Sequence, residues 1–311
     1  MNFGIIGAGN ISGRFAAAAG MCSGVQVLAV GSRSLEKSKD FAQKFNIKKA
    51  YGSYEELLND TEIDAVYIAL PHSHHAATAI KAFEKGKAVL CEKPFATNSA
   101  DAEAAVRSAK EHEVLFMEAM WTRFLPTNVK AKQWIREIGD IRLITADFCF
   151  YSDTDIQSRL YDPKLAGGAL YDVGVYGIEF AMDMAGSKVN RACGVSSVGG
   201  THVDETTSIS MLFSNGAVAS ITCGIKNNSV SGAYIYGSGG YIHLPVFWGG
   251  HYVYLYDERG YLKNEYRADY KDGFTFEIEH FASLWRDGKK ESPVMPLADT
   301  VACARVFDMV K

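Results

Sequence analysis

Five short apolar runs, most of them followed by a segment of helical spacing, occupy the first 120 residues, and this alternation constrains the fold more than any other feature. The runs are Phe3–Ile6, Val25–Ser32, Val66–Leu70, Ala88–Cys91 and Leu115–Glu118; the helical segments are Ile11–Met21, Leu35–Phe45, His75–Lys85 and Ser99–His112. A strand that is apolar along its whole length is buried on both faces. A helix between two such strands is the crossover that makes them parallel. The spacing predicts a doubly wound α/β sheet covered on both sides.

From about Gly139 the pattern changes to strands joined by turns. Glu205–Phe213 and Ala217–Ile225 flank Ser214-Asn215-Gly216, a hairpin signal because Asn-Gly tolerates positive φ. Ser231–Tyr236 pairs in the same way with Tyr241–Val246, and His251–Tyr256 with Tyr261–Arg267. Adding Ile141–Tyr151 and Arg191–Val198 predicts a large, mainly antiparallel open sheet, interrupted by one helical stretch near Gly168–Met184. The expected division is a domain at 1–120 and a second at 121–311, which suits a chain of 311 residues. The open face of such a sheet needs a cover, so a homodimer through it is expected.

Composition removes several classes of function. Hydrophobic residues make up 48% and charged residues 22%, ordinary for a globular chain. A net charge of -4 gives no footprint for nucleic acid or an anionic membrane. No apolar run approaches the roughly 20 residues of a membrane span, and no basic segment precedes the apolar start. The six cysteines are scattered with no C-x-x-C pair, which favours reduced thiols in the cytoplasm over disulfides or zinc.

Gly7-Ala8-Gly9-Asn10-Ile11-Ser12 joins the first strand to the first helix. One glycine permits the tight turn, the next lets a pyrophosphate approach the backbone, and the helix N-terminus supplies free N–H groups. Ser12 stands where glycine or alanine is usual, with Gly13 next. Beyond the second strand the chain reads Gly31-Ser32-Arg33-Ser34, with no acid before Glu36. A carboxylate there would bind a ribose 2′-hydroxyl and repel a 2′-phosphate; a guanidinium with hydroxyls does the reverse. NADP(H) is favoured over NAD(H), unless Arg33 and Ser34 only form a solvated turn and cap.

Ala88-Val89-Leu90-Cys91-Glu92-Lys93-Pro94 ends a buried strand in a charged pair, at the sheet edge where open α/β folds bind ligands. Together with Gly7–Ser12, Pro71…His75 and Asp172-x-x-x-Tyr176, this Glu-Lys-Pro resembles the Gfo/Idh/MocA oxidoreductase family over essentially the whole chain. Met117–Phe124 and Leu165–Tyr176 look like the branch holding dimeric dihydrodiol dehydrogenases and NADP-dependent xylose dehydrogenases. The resemblance implies hydride transfer between the nicotinamide and a hydroxyl or carbonyl carbon of an aldopyranose or a cyclic trans-diol. It implies Lys93 as the catalytic lysine, Glu92 ordering its loop, and a cis Lys93–Pro94 bond aiming the ammonium into the cleft.

The expected cofactor set is Gly7, Gly9, Asn10, Ile11 and Ser12 at the pyrophosphate and Ser32 and Arg33 at the 2′-phosphate, with Pro71, His72, His75, Glu92 and Lys93 completing it. His72 stands where the family more often has asparagine. Asp172 and Tyr176 lie four apart on a predicted helix and share a face. Many relatives carry histidine where this chain has Tyr176. A phenol near an ammonium ionises more easily, so either Tyr176 or Lys93 takes the substrate proton, while Asp172 orients the hydroxyl or the lysine. Alternatively, Tyr176 and Phe180 form an aromatic core stripe. Trp121, Arg123 and Phe124 line the substrate pocket or pack between domains.

His72, His74 and His75 suggest a metal, but no downstream ligand set completes one, and the family uses none. Cys91 reads as a buried strand residue. Two other functions fit the same fold: a non-catalytic NADP(H) sensor, which has no need of Lys93, Asp172 and Tyr176, and an NAD-dependent glycosidase, which predicts an acid where Ser32 and Arg33 stand.

Overall fold

The computed structural model describes residues 1–311. The first sheet is built from β1 (Asn2–Ile6), β2 (Gln26–Gly31), β3 (Lys49–Tyr51), β4 (Ala65–Ile68), β5 (Ala88–Glu92) and β6 (Phe116–Ala119). All its pairings are parallel, in the order β3-β2-β1-β4-β5-β6. The crossovers are α1 (Asn10–Ala19), α2 (Leu35–Phe45), α3 (Tyr54–Leu58), α4 (His75–Glu84) and α5 (Ser99–Glu111). Phe3, Ile5, Val66, Ile68, Val89 and Leu90 are completely buried, as a doubly covered sheet requires. Helix starts follow local chemistry: Ser34 Oγ accepts the Lys37 N–H and Ser53 Oγ the Glu56 N–H. β3 and α3 lie outside the sequence expectation, being too short at three and five residues to show a period.

After α6 (Pro126–Trp134) comes β7 (Ile141–Cys149), then a π-helical turn, Leu170–Gly174, running into α7 (Val175–Ala185). β8 (Val189–Val198), β9 (Asp204–Phe213), β10 (Val218–Gly224), β11 (Gly232–Gly237), β12 (Gly240–Leu244), β13 (Tyr252–Asp257) and β14 (Leu262–Arg267) follow. With β7 they form an eight-stranded sheet ordered β14-β13-β12-β11-β7-β10-β9-β8, antiparallel except where β7 meets β10. Every strand expected from the turn signals is present. Two helices close the chain, α8 (Phe274–Arg286) and α9 (Leu297–Val310). They correct the reading of this region as strands and one helix: Phe274, Ile278, Phe281, Ala282 and Leu284 make one buried face of α8.

The chain divides by its internal contacts into two compact units, 1–96 with 100–121 and 272–301, and 97–99 with 122–271 and 302–311. A single cut near residue 120 therefore does not describe the C-terminal end, because α8 packs on α1 in the first unit. In the second unit, strand alternation puts Ile144, Ala146, Ile221, Ile235 and Leu255 on the buried face, against α6 and α7. The opposite face carries stacked rings, among them Tyr234 on His243 at 4.2 Å and Tyr241 on Tyr256 at 4.6 Å.

α7 lies close on this sheet because Gly177 has no side chain: a Cβ there would stand 2.5 Å from Ile221 Cγ2. Branched Ile221 has no freedom to yield. Gly177→Val should lower stability by about 2 kcal/mol or more through overpacking, measured as a shift of the denaturant midpoint at unchanged slope. A wild-type midpoint would show that the helix sits loosely.

Candidate active site

The turn after β1 fits a dinucleotide. Gly7 holds φ +105°, and a Cβ on it would lie 2.5 Å from the Ala69 carbonyl oxygen, so only glycine makes the turn. Gly9, the N-cap of α1, would point a Cβ into open space, and no acid occupies the first helical turn. The leading amides of α1 are thus left for an anion. Ser12 corrects one expectation: it is buried, and its hydroxyl donates to Gly7 O at 2.6 Å, so its side chain braces the turn.

A second correction falls at the end of β2. Ser32 is buried; its Oγ donates to Ser34 O at 2.8 Å and accepts from Ser38 Oγ at 2.9 Å. The hydroxyl expected at a 2′-phosphate therefore organises the loop instead. Arg33 is exposed, leaving its guanidinium as the cation at this edge.

At the end of β5 several buried groups converge under one turn. Glu92 accepts a short hydrogen bond from the Tyr67 hydroxyl on one oxygen and the Lys93 backbone N–H at 3.3 Å on the other. The Lys93–Pro94 peptide is cis, and Lys93 is half-buried. His75 is fully buried, with Nδ1 2.9 Å from Pro94 O and Nε2 2.8 Å from Leu70 O. It links the end of β4 to the Lys93–Pro94 turn. Pro71 and the buried His72 lie in the loop just before it. Glu118 adds a further brace by accepting the Phe95 N–H at 2.9 Å.

Behind this turn, α8 brings in Glu277, an acid on an otherwise apolar face. It is completely buried, and neither carboxyl oxygen has a hydrogen-bond partner. Burial, reinforced by the nearby Glu92, pushes its pKa well above the usual carboxylate range. Burial also raises Glu92, against the pull of Lys93 and of the Tyr67 hydroxyl. Arg14 grips Asp272 through two nitrogens at 2.9 and 3.1 Å and lies over the rings of Trp121 and Phe274.

In the second unit Asp172 sits on the π-helical turn and Tyr176 on the first turn of α7, both partly exposed. The Tyr176 ring packs 5.7 Å from that of Phe148. Arg159 Nη2 meets Asp172 Oδ1 at 3.0 Å, a partnership with no sequence signal because the three-residue turn that Arg159 opens is too short to show a period. Asp204 seats the same helix by accepting the Leu170 N–H at 2.6 Å.

The three residues considered as pocket lining are all buried. Trp121 is buried 5.2 Å from Phe274, and Phe124 is buried as well. Arg123 is 5% exposed and spent on Glu179 at 2.6 Å, with Asp183 at 3.8 Å. A guanidinium sealed against a carboxylate holds the fold rather than a ligand.

Residues 1–120 match the Gfo/Idh/MocA model described as an oxidoreductase family with an NAD-binding Rossmann fold, and residues 128–243 match the Gfo/Idh/MocA C-terminal domain. The chain is 35% identical to trans-1,2-dihydrobenzene-1,2-diol dehydrogenase of Mus musculus, over 99% of this chain and 95% of that one. It is 33% identical to the Homo sapiens protein of the same name, over 100% and 96%. Among solved structures it resembles a 3-ketoreductase from Actinomadura kijaniata in complex with NADP and TDP-benzene, with a TM-score of 0.91, 26% identity and coverage of 100% and 96%.

Replacing Glu277 with glutamine keeps its shape and removes its proton. A carboxyl whose pKa is raised by folding contributes fully below its unfolded value of about 4.3. Above that, stability is lost by up to about 1.4 kcal/mol per pH unit until the folded pKa is reached. The thermal midpoint of Glu277→Gln should equal wild type near pH ~4 and exceed it by a margin that widens as pH rises above that. A margin independent of pH would contradict a raised Glu277 pKa.

Proposed function

Because the chain belongs to the Gfo/Idh/MocA oxidoreductase family, we propose that it is an NADP(H)-dependent enzyme acting on a hydroxyl-bearing carbon of a sugar or a cyclic trans-diol. The observation that carries this is the braced Glu92-Lys93-Pro94 turn at the carboxyl edge of a sheet whose glycine turn fits a dinucleotide. The names of the curated relatives support a diol, and the ketoreductase supports a hydroxyl–ketone interconversion. Arg33, exposed beyond β2 with no carboxylate before Glu36, supports NADP(H).

The turn Gly7–Ile11 would hold the pyrophosphate on the amides of α1, with Arg33 at the 2′-phosphate. A bound nicotinamide supplies the acceptor or donor of hydride. The protein's part is to align the substrate and move its proton. We assign that part to Lys93, Asp172 and Tyr176. Asp172 accepts a hydrogen bond from the substrate and orients it. The hydroxyl proton passes to Tyr176 or Lys93 on oxidation and returns on reduction. Glu92, held by Tyr67, accepts the Lys93 backbone N–H and so fixes where the lysine leaves the strand.

The face of the eight-stranded sheet opposite α6 and α7 supports a homodimer, since half-buried tyrosines stacked in rows suit a self-complementary contact. The dispersed cysteines support a reducing, cytoplasmic setting.

The test follows reduced-nicotinamide absorbance with NADP and NAD against aldoses and trans-cyclic diols. Turnover with one substrate class, faster with NADP, is expected. Lys93→Met should lose about 100-fold or more of it while still binding NADP in a fluorescence titration. Full turnover by that variant would overturn the assignment, and NADP binding without turnover of any alcohol or carbonyl would favour a sensor.

A further inference from the structure

Arg159 is a charged residue at the Asp172 helix that the proposed reaction does not use. Its Nη2 lies 3.0 Å from Asp172 Oδ1, yet its side chain is 51% exposed while that of Asp172 is 15% exposed. The ion pair therefore opens to solvent, unlike the sealed Arg123–Glu179 pair. An exposed pair of this kind adds little to stability.

Its seat is nonetheless built. Arg159 begins a tight turn, Arg159–Tyr161, whose next two residues, Leu160 and Tyr161, are buried in one cluster with Ala169 and Val173, the neighbour of Asp172. Gly168 donates its N–H to Leu160 O at 2.9 Å. Gly167 is bare where a Cβ would stand 2.6 Å from Arg159 O and closer still to Leu160 O. The missing side chain lets the Arg159 turn lie flat on the segment that begins the helix. Asp204 fixes that segment from its other side through the Leu170 N–H.

The geometry points to a reader of two adjacent hydroxyls: Asp172 accepts a hydrogen bond from one while Arg159 donates to the oxygen of its neighbour. This deepens the proposed function, on which it rests, by assigning Arg159 as the residue that selects a neighbouring hydroxyl on the substrate. A guanidinium is donor-only and a carboxylate acceptor-only, and here the two are held side by side at hydrogen-bond distance. Adjacent hydroxyls present a donor and an acceptor at comparable spacing, so both charged groups are satisfied at once. A lone hydroxyl satisfies one of them and leaves the other to compete with water. The ion pair is neutral overall, which suits an uncharged polyol.

The experiment compares trans-cyclohexane-1,2-diol with cyclohexanol in wild type, Arg159→Met and Arg159→Lys, with NADP saturating. Two readouts are taken: the kcat/KM ratio of the two alcohols, and their relative affinity for the protein–NADP complex by saturation-transfer NMR. We expect wild type to prefer the diol and Arg159→Met to lower that preference by about 30- to 100-fold, as loss of a charged hydrogen bond implies. Arg159→Lys should recover part of it, and the loss should fall on KM more than on kcat. An unchanged preference in Arg159→Met overturns the inference, by either readout. Diol-selective binding without turnover in wild type would uphold it and overturn the proposed reaction instead. Gly167→Ala, which displaces the Arg159 turn without touching its charge, should reproduce the loss; intact preference there would count against the built seat.

Discussion

A carboxylate buried at the end of β5 sets the terms for the first unit. Glu92 has lost its water, and such a group is tolerated only when donors reach it. The Tyr67 hydroxyl comes from the neighbouring β4, and the second donor is the backbone N–H of Lys93 itself. The same bond that satisfies the acid therefore fixes where the lysine begins. His75 closes the arrangement by spanning Leu70 O and Pro94 O. Tyr67 is in turn held by Phe15, whose ring stacks on it at 3.7 Å. A lysine placed by this many buried groups has little freedom to wander, which is what positioned proton chemistry needs.

Sealing that corner requires the end of the chain. α8 returns to the first unit, where Glu277 enters the same electrostatic neighbourhood as Glu92 and Tyr67. Two carboxyls in one dry region do not both ionise, and the one with donors, Glu92, is the better anion. The raised pKa of Glu277 comes at a cost in stability at neutral pH. In the second unit the comparable constraint is steric. Bare Gly177 and Gly167 let α7 and the Arg159 turn approach their neighbours, so Asp172 and Tyr176 stand on a seated helix rather than on a loop.

What the sequence discloses here depends on whether a residue's partner is local. The β5 run ending in Glu92 and Lys93 is legible because burial and charge meet within one strand. Gly7 is legible because a turn before a helix has few solutions. Ser12, Ser32 and His75 are legible as positions but not as roles: hydroxyl and imidazole suit a phosphate and a carbonyl equally, and only the folded backbone shows which is near. Arg123 reads as a surface or pocket cation until Glu179, 56 residues later, is seen to turn inward toward it. Glu277 left a faint trace, an acid among apolar residues at helical spacing. Arg159 left none, since its pairing with Asp172 depends on a three-residue turn too short to show a period.

In the proposed reaction this scaffold moves hydride from a hydroxyl-bearing carbon, with its own side chains handling the proton. The most direct measurement uses a trans-cyclic diol carrying deuterium on its carbinol carbons, incubated with protein and NADP in ordinary water, followed by mass spectrometry of the recovered nicotinamide. The expected result is one carbon-bound deuterium in the reduced cofactor for each diol oxidised. Reduced cofactor free of deuterium would be the contrary result.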